Sequence, residues 1–317
     1  MVIHLNIANL PTPIEELPRL TKLLNGPKLF VKRDDLTGLA FGGNKTRKLE
    51  FLFAEAESQK AKTIITAGSI QSNHCRQTAA AAARFGMACV LILNGEESSR
   101  ASGNLMLDHL FGAKIIWVKD RSDRARVLHK TFSQLTSTGQ VPYLIPVGGS
   151  SPIGALGYVY AMEEFISQGI PVDWIVIASS SGGTQAGLVC GARKFNFKGK
   201  ILGISIDETK VKLQNLVAQL AGDTSALLEN PPYKFIQDDI IVNAKYYKAG
   251  YGIYTSLERE AVKIFAEYEG LLLDPVYTGR AAGGLIDLIN KGFFKKKERV
   301  LFWHTGGQPA LFASDYI

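Results

Sequence analysis

Lys45 is the residue whose type and position first suggest chemistry. It stands in the segment Lys32 to Glu50, KRDDLTGLAFGGNKTRKLE, where a strand pattern ends in an acidic, glycine-rich loop and a helical pattern begins near Asn44. A lysine in the first turn of a helix meets unpaired amides and the positive end of the dipole, which favour its neutral, nucleophilic form. Imine chemistry with a carbonyl cofactor is one use of such an amine. For an arbitrary lysine the ordinary reading is a solvated side chain, so the neighbouring motifs have to decide.

Two further segments place small polar residues where a strand runs into a helix. In Ser69 to Thr78, SIQSNHCRQT, Ser72 and Asn73 fall at the start of an alanine-rich helix. They serve there either as simple caps or, together with free backbone amides, as a carboxylate site. In Ser179 to Gly187, SSSGGTQAG, glycines permit close backbone approach and hydroxyls face a helix N-terminus. That chemistry suits a phosphate, and without a Walker lysine or a GxGxxG run a monophosphate fits better than a nucleotide.

Nearer the C-terminus, AGYGIY carries Tyr251, DPVYTGRAAGG carries Tyr277 and FWHTGGQPALF carries Thr305. Tyrosines in glycine-bounded turns either pack or present phenols as acid–base groups. His74 and His304 are weak candidates. No HExxH, GxSxG or paired His/Cys spacing supports a metal site or a serine triad.

The elements that must position these residues alternate. Strand patterns at Leu29–Lys32, Thr63–Thr66, Cys89–Leu93, Lys114–Val118, Trp174–Ala178, Ile201–Ile206 and Val300–Trp303 are separated by helical patterns. The helices are expected at Lys45–Gln59, Asn73–Phe85, Gly103–Phe111, Arg121–Leu135, Thr184–Lys194, Leu257–Tyr268 and Gly279–Ile289. Such alternation predicts parallel sheets covered by helices. No long linker separates independent beads, so two domains would be intimately docked. An outgoing crossing is expected near Asn44 to Lys48 and a return along the glycine-rich Gly148 to Gly157.

With 317 residues, 46% of them hydrophobic, the chain can bury a large core, which excludes disorder and small stapled scaffolds. The net charge of +7 is dispersed except at Lys295–Lys297 with Arg299, read as a solvated turn, so nucleic acid is not an expected partner. The uncharged stretch Thr131 to Met162 contains prolines and glycines that would break a membrane helix; it reads as buried strand, loop and helix start. Three cysteines without CxxC spacing and no visible signal peptide point to the cytoplasm.

Taken in order, GGNKTRKLE, AGSIQSNHCRQTA, SSSGGTQAGL, GYG, LLLDPVYTG and HTGGQPALF resemble the 1-aminocyclopropane-1-carboxylate deaminase / D-cysteine desulfhydrase family over almost the whole chain. The resemblance implies an α/β protein of two open, twisted, mostly parallel sheets covered by helices (fold type II). It also implies pyridoxal 5'-phosphate in the cleft between a large domain, 1–47 plus 157–317, and a small domain, 48–156. It makes Lys45 the lysine bonded to the cofactor, Ser181, Gly182, Gly183 and Thr184 the phosphate cradle, and Asn73 a contact of the ring hydroxyl. Ser72 would hold the substrate carboxylate, matching the serine called a nucleophile in the deaminases, and Tyr251 and Tyr277 would be the active-site tyrosines. A homodimer acting on a small amino acid is expected.

Where the deaminases resemble PVYEG and HLGG, this chain has Thr278 and Thr305. A carboxylate keeps the pyridine nitrogen protonated, whereas hydroxyls leave it neutral, which suffices when a good β-leaving group departs. The expected reaction is therefore elimination from D-cysteine to pyruvate, hydrogen sulfide and ammonia. The cyclopropane deaminase reaction, a lyase for another substrate such as L-cysteate, and a non-catalytic anion- or cofactor-binding protein remain the alternatives. Ala249, where the family pattern has proline, implies only a less rigid turn.

Overall fold

The computed structural model describes residues 3–97 and 100–313. Among the described residues, ten strands form two sheets. The strands are β1 (Ile14–Glu16), β2 (Lys28–Arg33), β3 (Thr63–Ser69), β4 (Ala88–Asn94), β5 (Lys114–Val118), β6 (Pro142–Leu144), β7 (Trp174–Ser179), β8 (Lys200–Ser205), β9 (Ile241–Asn243) and β10 (Arg299–His304). A six-stranded sheet has the order β1-β2-β10-β7-β8-β9 and a four-stranded sheet the order β5-β4-β3-β6. Every pairing is parallel except β1 with β2. β7, WIVIAS, is buried at every position, the pattern of a strand covered on both faces.

The helices are α1 (Pro18–Leu24), α2 (Asn44–Ser58), α3 (Asn73–Arg84), α4 (Gly103–Leu110), α5 (Asp123–Ser137), α6 (Pro152–Ser167), α7 (Gly183–Lys194), α8 (Lys210–Ser225), α9 (Ser256–Glu269) and α10 (Thr278–Asn290). All seven strands and seven helices read from the sequence are present, with ends shifted by one or two residues, or by three at the end of β3. Three helices and three strands go beyond that reading. α8 carries a usable signal, with Leu213, Val217, Leu220 and Thr224 buried along one face. α1 is short, and β1, β6 and β9 span three residues each, too few for alternation to show.

The uncharged stretch resolves as the end of α5, then β6, then α6, which starts at Pro152 with Ser151 accepting the Gly154 amide at 3.1 Å. The basic run 295–297 is exposed in the turn before β10.

The two segments expected to cross between domains, in α2 and α6, pack directly on each other. A Cβ on Gly157 in α6 would lie 2.2 Å from the Arg47 carbonyl oxygen in α2, so only glycine admits this approach. The junction also holds a buried ion network. The Arg47 guanidinium donates to both Asp34 oxygens at 2.8 and 3.0 Å and to Glu164 at 2.9 Å, and the Lys32 amine donates to Glu164 at 2.6 Å. Tyr158 and Trp303 donate to Asp34 at 2.5 and 2.8 Å. Burial works against the Asp34 charge, but Arg47 and Lys32 overcome it and hold its pKa below the usual carboxylate range. β2, α2, α6 and β10 are thereby fixed together two residues from Lys45.

Candidate active site

Both sheets deliver their C-terminal strand ends to one cavity of about 350 Å³, within the usual size range for small-molecule sites. Gly68 and Ser69 close β3, Asn94 closes β4 and Ser179 closes β7; Asp207 follows β8 and Thr305 follows β10, and all six line the cavity. Ligands of open parallel sheets bind at this edge.

Lys45 is the second residue of α2 and lines the cavity. Its loop is shaped by backbone contact: the Asn44 amide donates to the Thr305 carbonyl at 3.0 Å, and a Cβ on Gly306 would lie 2.6 Å from Gly43 Cα. Burial pushes the Lys45 amine down to about 8, with Asp274 opposing the shift.

Ser72 and Asn73 also line the cavity, at the start of α3. Capping and site formation coincide here, because Ser72 Oγ accepts the Cys75 amide at 3.2 Å while facing the same space. The Asn73 side-chain oxygen accepts from Arg76 at 3.1 Å and from Asn104 at 2.9 Å. Those two donors fix which way the amide points and leave its NH₂ as the end free to donate. His74, on the cavity wall, has Nε2 2.9 Å from Thr66 Oγ1, and burial, with Lys45 adding, holds its imidazole neutral.

Tyr251 and Tyr277 meet at the cavity, their hydroxyls 2.8 Å apart, and Tyr251 reaches Ser69 Oγ at 3.1 Å. Burial raises both phenols above their ordinary pKa, so both are protonated at neutral pH. The turn that presents Tyr277 is organised by Asp274, whose carboxylate accepts the amides of Val276, Tyr277 and Thr278 at 2.6–3.1 Å.

Ser181, Gly182 and Thr184 line the cavity at the N-terminus of α7, with Gly182 at φ +78°. Gly183 sits just behind, its amide donating to Ser150 Oγ at 3.2 Å. The fit of a phosphate here rests on Lys48, which sequence reasoning missed. Its amine is buried, donates to the Gly148 carbonyl at 3.1 Å and Ser150 Oγ at 3.4 Å, and has no carboxylate partner among the described residues. Ser150 Oγ in turn lies 2.8 Å from Ser181 Oγ. Burial, then Lys45, push the Lys48 amine well below its ordinary pKa. A bound phosphate would supply the missing counter-charge, so these residues suit a phosphorylated cofactor. Lys48 is one turn beyond Lys45 on the same helix, which was the available signal.

The two threonines expected at the ring nitrogen are separated. Thr305 lines the cavity. Thr278 does not; its hydroxyl donates to the Asp274 carboxylate and accepts the Asp274 amide, both at 2.7 Å, beneath the Tyr277 turn. The hydroxyl is consumed in that turn. Arg121 and Arg124 were also unmarked from the sequence and stand at the cavity.

Comparison with known proteins agrees with this geometry. A family model described as pyridoxal-phosphate dependent enzyme matches residues 5–306. The chain is 43% identical to D-cysteine desulfhydrase of Klebsiella pneumoniae subsp. pneumoniae, covering 98% of this chain and 95% of that protein. It is 42% identical to D-cysteine desulfhydrase of Klebsiella pneumoniae strain 342, with the same coverage. The crystal structure of an ACC deaminase homologue superposes with TM-score 0.89 and 36% identity, covering 98% of this chain and 93% of that one. Threonine deaminase isoform 2 of Solanum lycopersicum shares the fold, at TM-score 0.68 and 14% identity over 95% of this chain and 80% of that one. With a family model matching residues 5–306 and a cavity at the strand edge lined by a lysine at a helix start, the chain belongs to the family of pyridoxal-phosphate dependent enzymes.

Proposed function

We propose that the chain eliminates hydrogen sulfide from D-cysteine, consuming water and giving pyruvate and ammonia. The observation that carries this reading is the convergence on one cavity of the Lys45 amine, the Ser72–Asn73 helix start and the Tyr251–Tyr277 phenol pair. The relatives of 42–43% identity name the substrate.

Pyridoxal phosphate, when bound, supplies an aldehyde that condenses with amines and a ring that takes up the electron pair released at the substrate's Cα. Lys48, Ser181, Gly182 and Thr184 would hold the phosphate, with Gly183 backing the cradle. Asn73 would donate to the ring oxygen through the amide end that Arg76 and Asn104 leave free. Thr305 would present a neutral hydroxyl toward the ring nitrogen, with Thr278 supporting the turn behind it. This favours departure of a good leaving group over cyclopropane opening.

Lys45 would hold the cofactor, and its amine would take the Cα proton on Nζ. Its lowered pKa leaves an appreciable neutral fraction near neutral pH. Ser72 and the amides opening α3 bind the substrate carboxylate and orient the Cα–H bond. Tyr251 and Tyr277, both protonated, face the sulfur and supply a proton as it leaves.

The two sheets support a small domain at 48–156 set in a large domain at 1–47 plus 157–317, with α2 and α6 at the crossings. The three free, buried cysteines suit a reducing cytoplasm, and the family resemblance supports a homodimer. The test is pyruvate release from D-cysteine, L-cysteine and 1-aminocyclopropane-1-carboxylate. D-cysteine alone should give rapid pyruvate and sulfide, and Lys45→Ala should abolish both. Preference for either of the other substrates would refute the reading.

A further inference from the structure

Arg76 carries a charge into the interior directly behind the cavity wall. It follows Asn73 by one turn on α3 and is completely buried. Its guanidinium donates to the Asn73 side-chain oxygen at 3.1 Å, the Asn104 side-chain oxygen at 2.7 Å and the Gly42 carbonyl at 2.9 Å. All three acceptors are neutral, and among the described residues no carboxylate is bonded to it. Asp274 gives its oxygens to the Tyr277 turn. Asp108, on α4, has no hydrogen-bond partner for either oxygen among the described residues, and burial pushes it well above the carboxylate range, toward its uncharged form. Burial brings Arg76 down to about 10, against Asp108 and Asp274, so it stays charged at neutral pH.

A guanidinium buried among neutral acceptors is costly. Its hydrogen bonds alone do not explain it, because neutral amides duplicate them. Asn104 Nδ2 donates to the same Asn73 oxygen at 2.9 Å, and Gln77 Nε2 to the same Gly42 carbonyl at 2.9 Å. Asn104 is itself held by Gln71, through its backbone amide at 2.8 Å and its Nδ2 at 2.9 Å. What Arg76 alone adds is positive charge, on the side of Asn73 away from its free NH₂.

We propose that Arg76 is a positioning residue that acts through the Asn73 amide to keep the cofactor's ring oxygen ionised. The proposal rests on the reading above that pyridoxal phosphate binds with its ring oxygen at Asn73. A cation donating to the Asn73 oxygen draws electron density from the amide and makes the NH₂ at its other end a stronger donor. The charge itself, one side chain behind that NH₂ in a buried setting, favours a negative oxygen over a protonated one. A neutral residue at this position leaves Asn73 pointed by Asn104 but lets the ring oxygen keep a proton.

The test reads the absorbance of the cofactor-loaded protein, in which the ionised ring oxygen gives a visible band and the protonated oxygen a near-ultraviolet one. Arg76→Gln keeps donors without charge and should lower the ratio of visible to near-ultraviolet absorbance about tenfold, while Arg76→Lys, which keeps the charge, should stay close to wild type. A binding arm titrates stripped protein with pyridoxal phosphate and with 3-deoxypyridoxal 5'-phosphate, which lacks the ring oxygen. Arg76→Gln should lose about tenfold in affinity for the first and none for the second, whereas a merely structural arginine would weaken both alike. Asn104→Asp covers the case in which Arg76→Gln does not fold: it leaves Arg76 in place, sets a carboxylate at the 2.7 Å contact and should shift the bands the same way. An unchanged band ratio in Arg76→Gln or in Asn104→Asp, a lysine variant that behaves like the glutamine one, or equal losses for the two aldehydes would overturn the proposal. A wild-type protein that gains no visible band from pyridoxal phosphate would overturn the cofactor reading and this one with it, and would show before any variant is made.

Discussion

In the proposed reading, the pKa of Lys45 sets how fast the chain captures its cofactor. Only the neutral amine attacks an aldehyde, so the capture rate follows the deprotonated fraction. For an ordinary lysine near 10.5 about 1 amine in 3,000 is neutral at pH 7. With burial bringing Lys45 to about 8, that fraction is about one in eleven, a gain of about 300-fold. The sign is fixed by the direction of the shift: the rate should climb as pH rises through about 8 and then level off. Stopped-flow absorbance of stripped protein mixed with pyridoxal phosphate, from pH 6 to pH 10.5, reads this directly. Asp274 opposes the shift, so Asp274→Asn should move the inflection to lower pH. A capture rate still climbing at pH 10, or an Asp274→Asn inflection moved upward, would refute the link between burial of this amine and its reactivity.

Other consequences follow from neighbouring contacts. Lys48→Met should weaken pyridoxal phosphate binding about 10- to 100-fold while leaving pyridoxal, which lacks the phosphate, unaffected; fluorescence titration with both aldehydes separates the cases. Tyr277→Phe breaks the 2.8 Å phenol contact and should cut kcat on D-cysteine by about 10²- to 10⁴-fold. Cofactor absorbance should persist, and β-chloro-D-alanine, whose chloride leaves without a proton, should suffer far less. Arg47→Ala leaves Asp34 buried beside Tyr158 and Trp303 without its guanidinium and should cost about 3–5 kcal/mol in urea unfolding.

The sheet framework was legible in the sequence because buried parallel strands such as WIVIA read as unbroken apolar runs between helical periods. The strand-to-helix turns were legible too, since Lys45, Ser72, Asn73, Ser181, Gly182 and Thr184 each sit where a strand pattern gives way to a helix, and the structure gathers all six at one cavity. Short edge strands escaped because three residues cannot establish a period. Lys48 and Arg124 escaped for another reason. Each is a cation on a helix that also carries solvated charges, and what sets it apart is the lack of a carboxylate partner among the described residues, which only the folded arrangement reveals. Thr278 shows the converse. Its place in PVYTG suggested a cofactor contact, yet Asp274, four residues earlier, takes its hydroxyl. Hydrogen bonds within a turn are invisible to a motif that fixes only residue types.

The central claim is that the cofactor is carried on Lys45. Borohydride reduction of the holoenzyme followed by peptide mapping tests it most directly. A single phosphopyridoxyl tag on the peptide containing GGNKTR, at Lys45, is the predicted result. A tag on Lys48 or on any other lysine, or no tag at all, would contradict it.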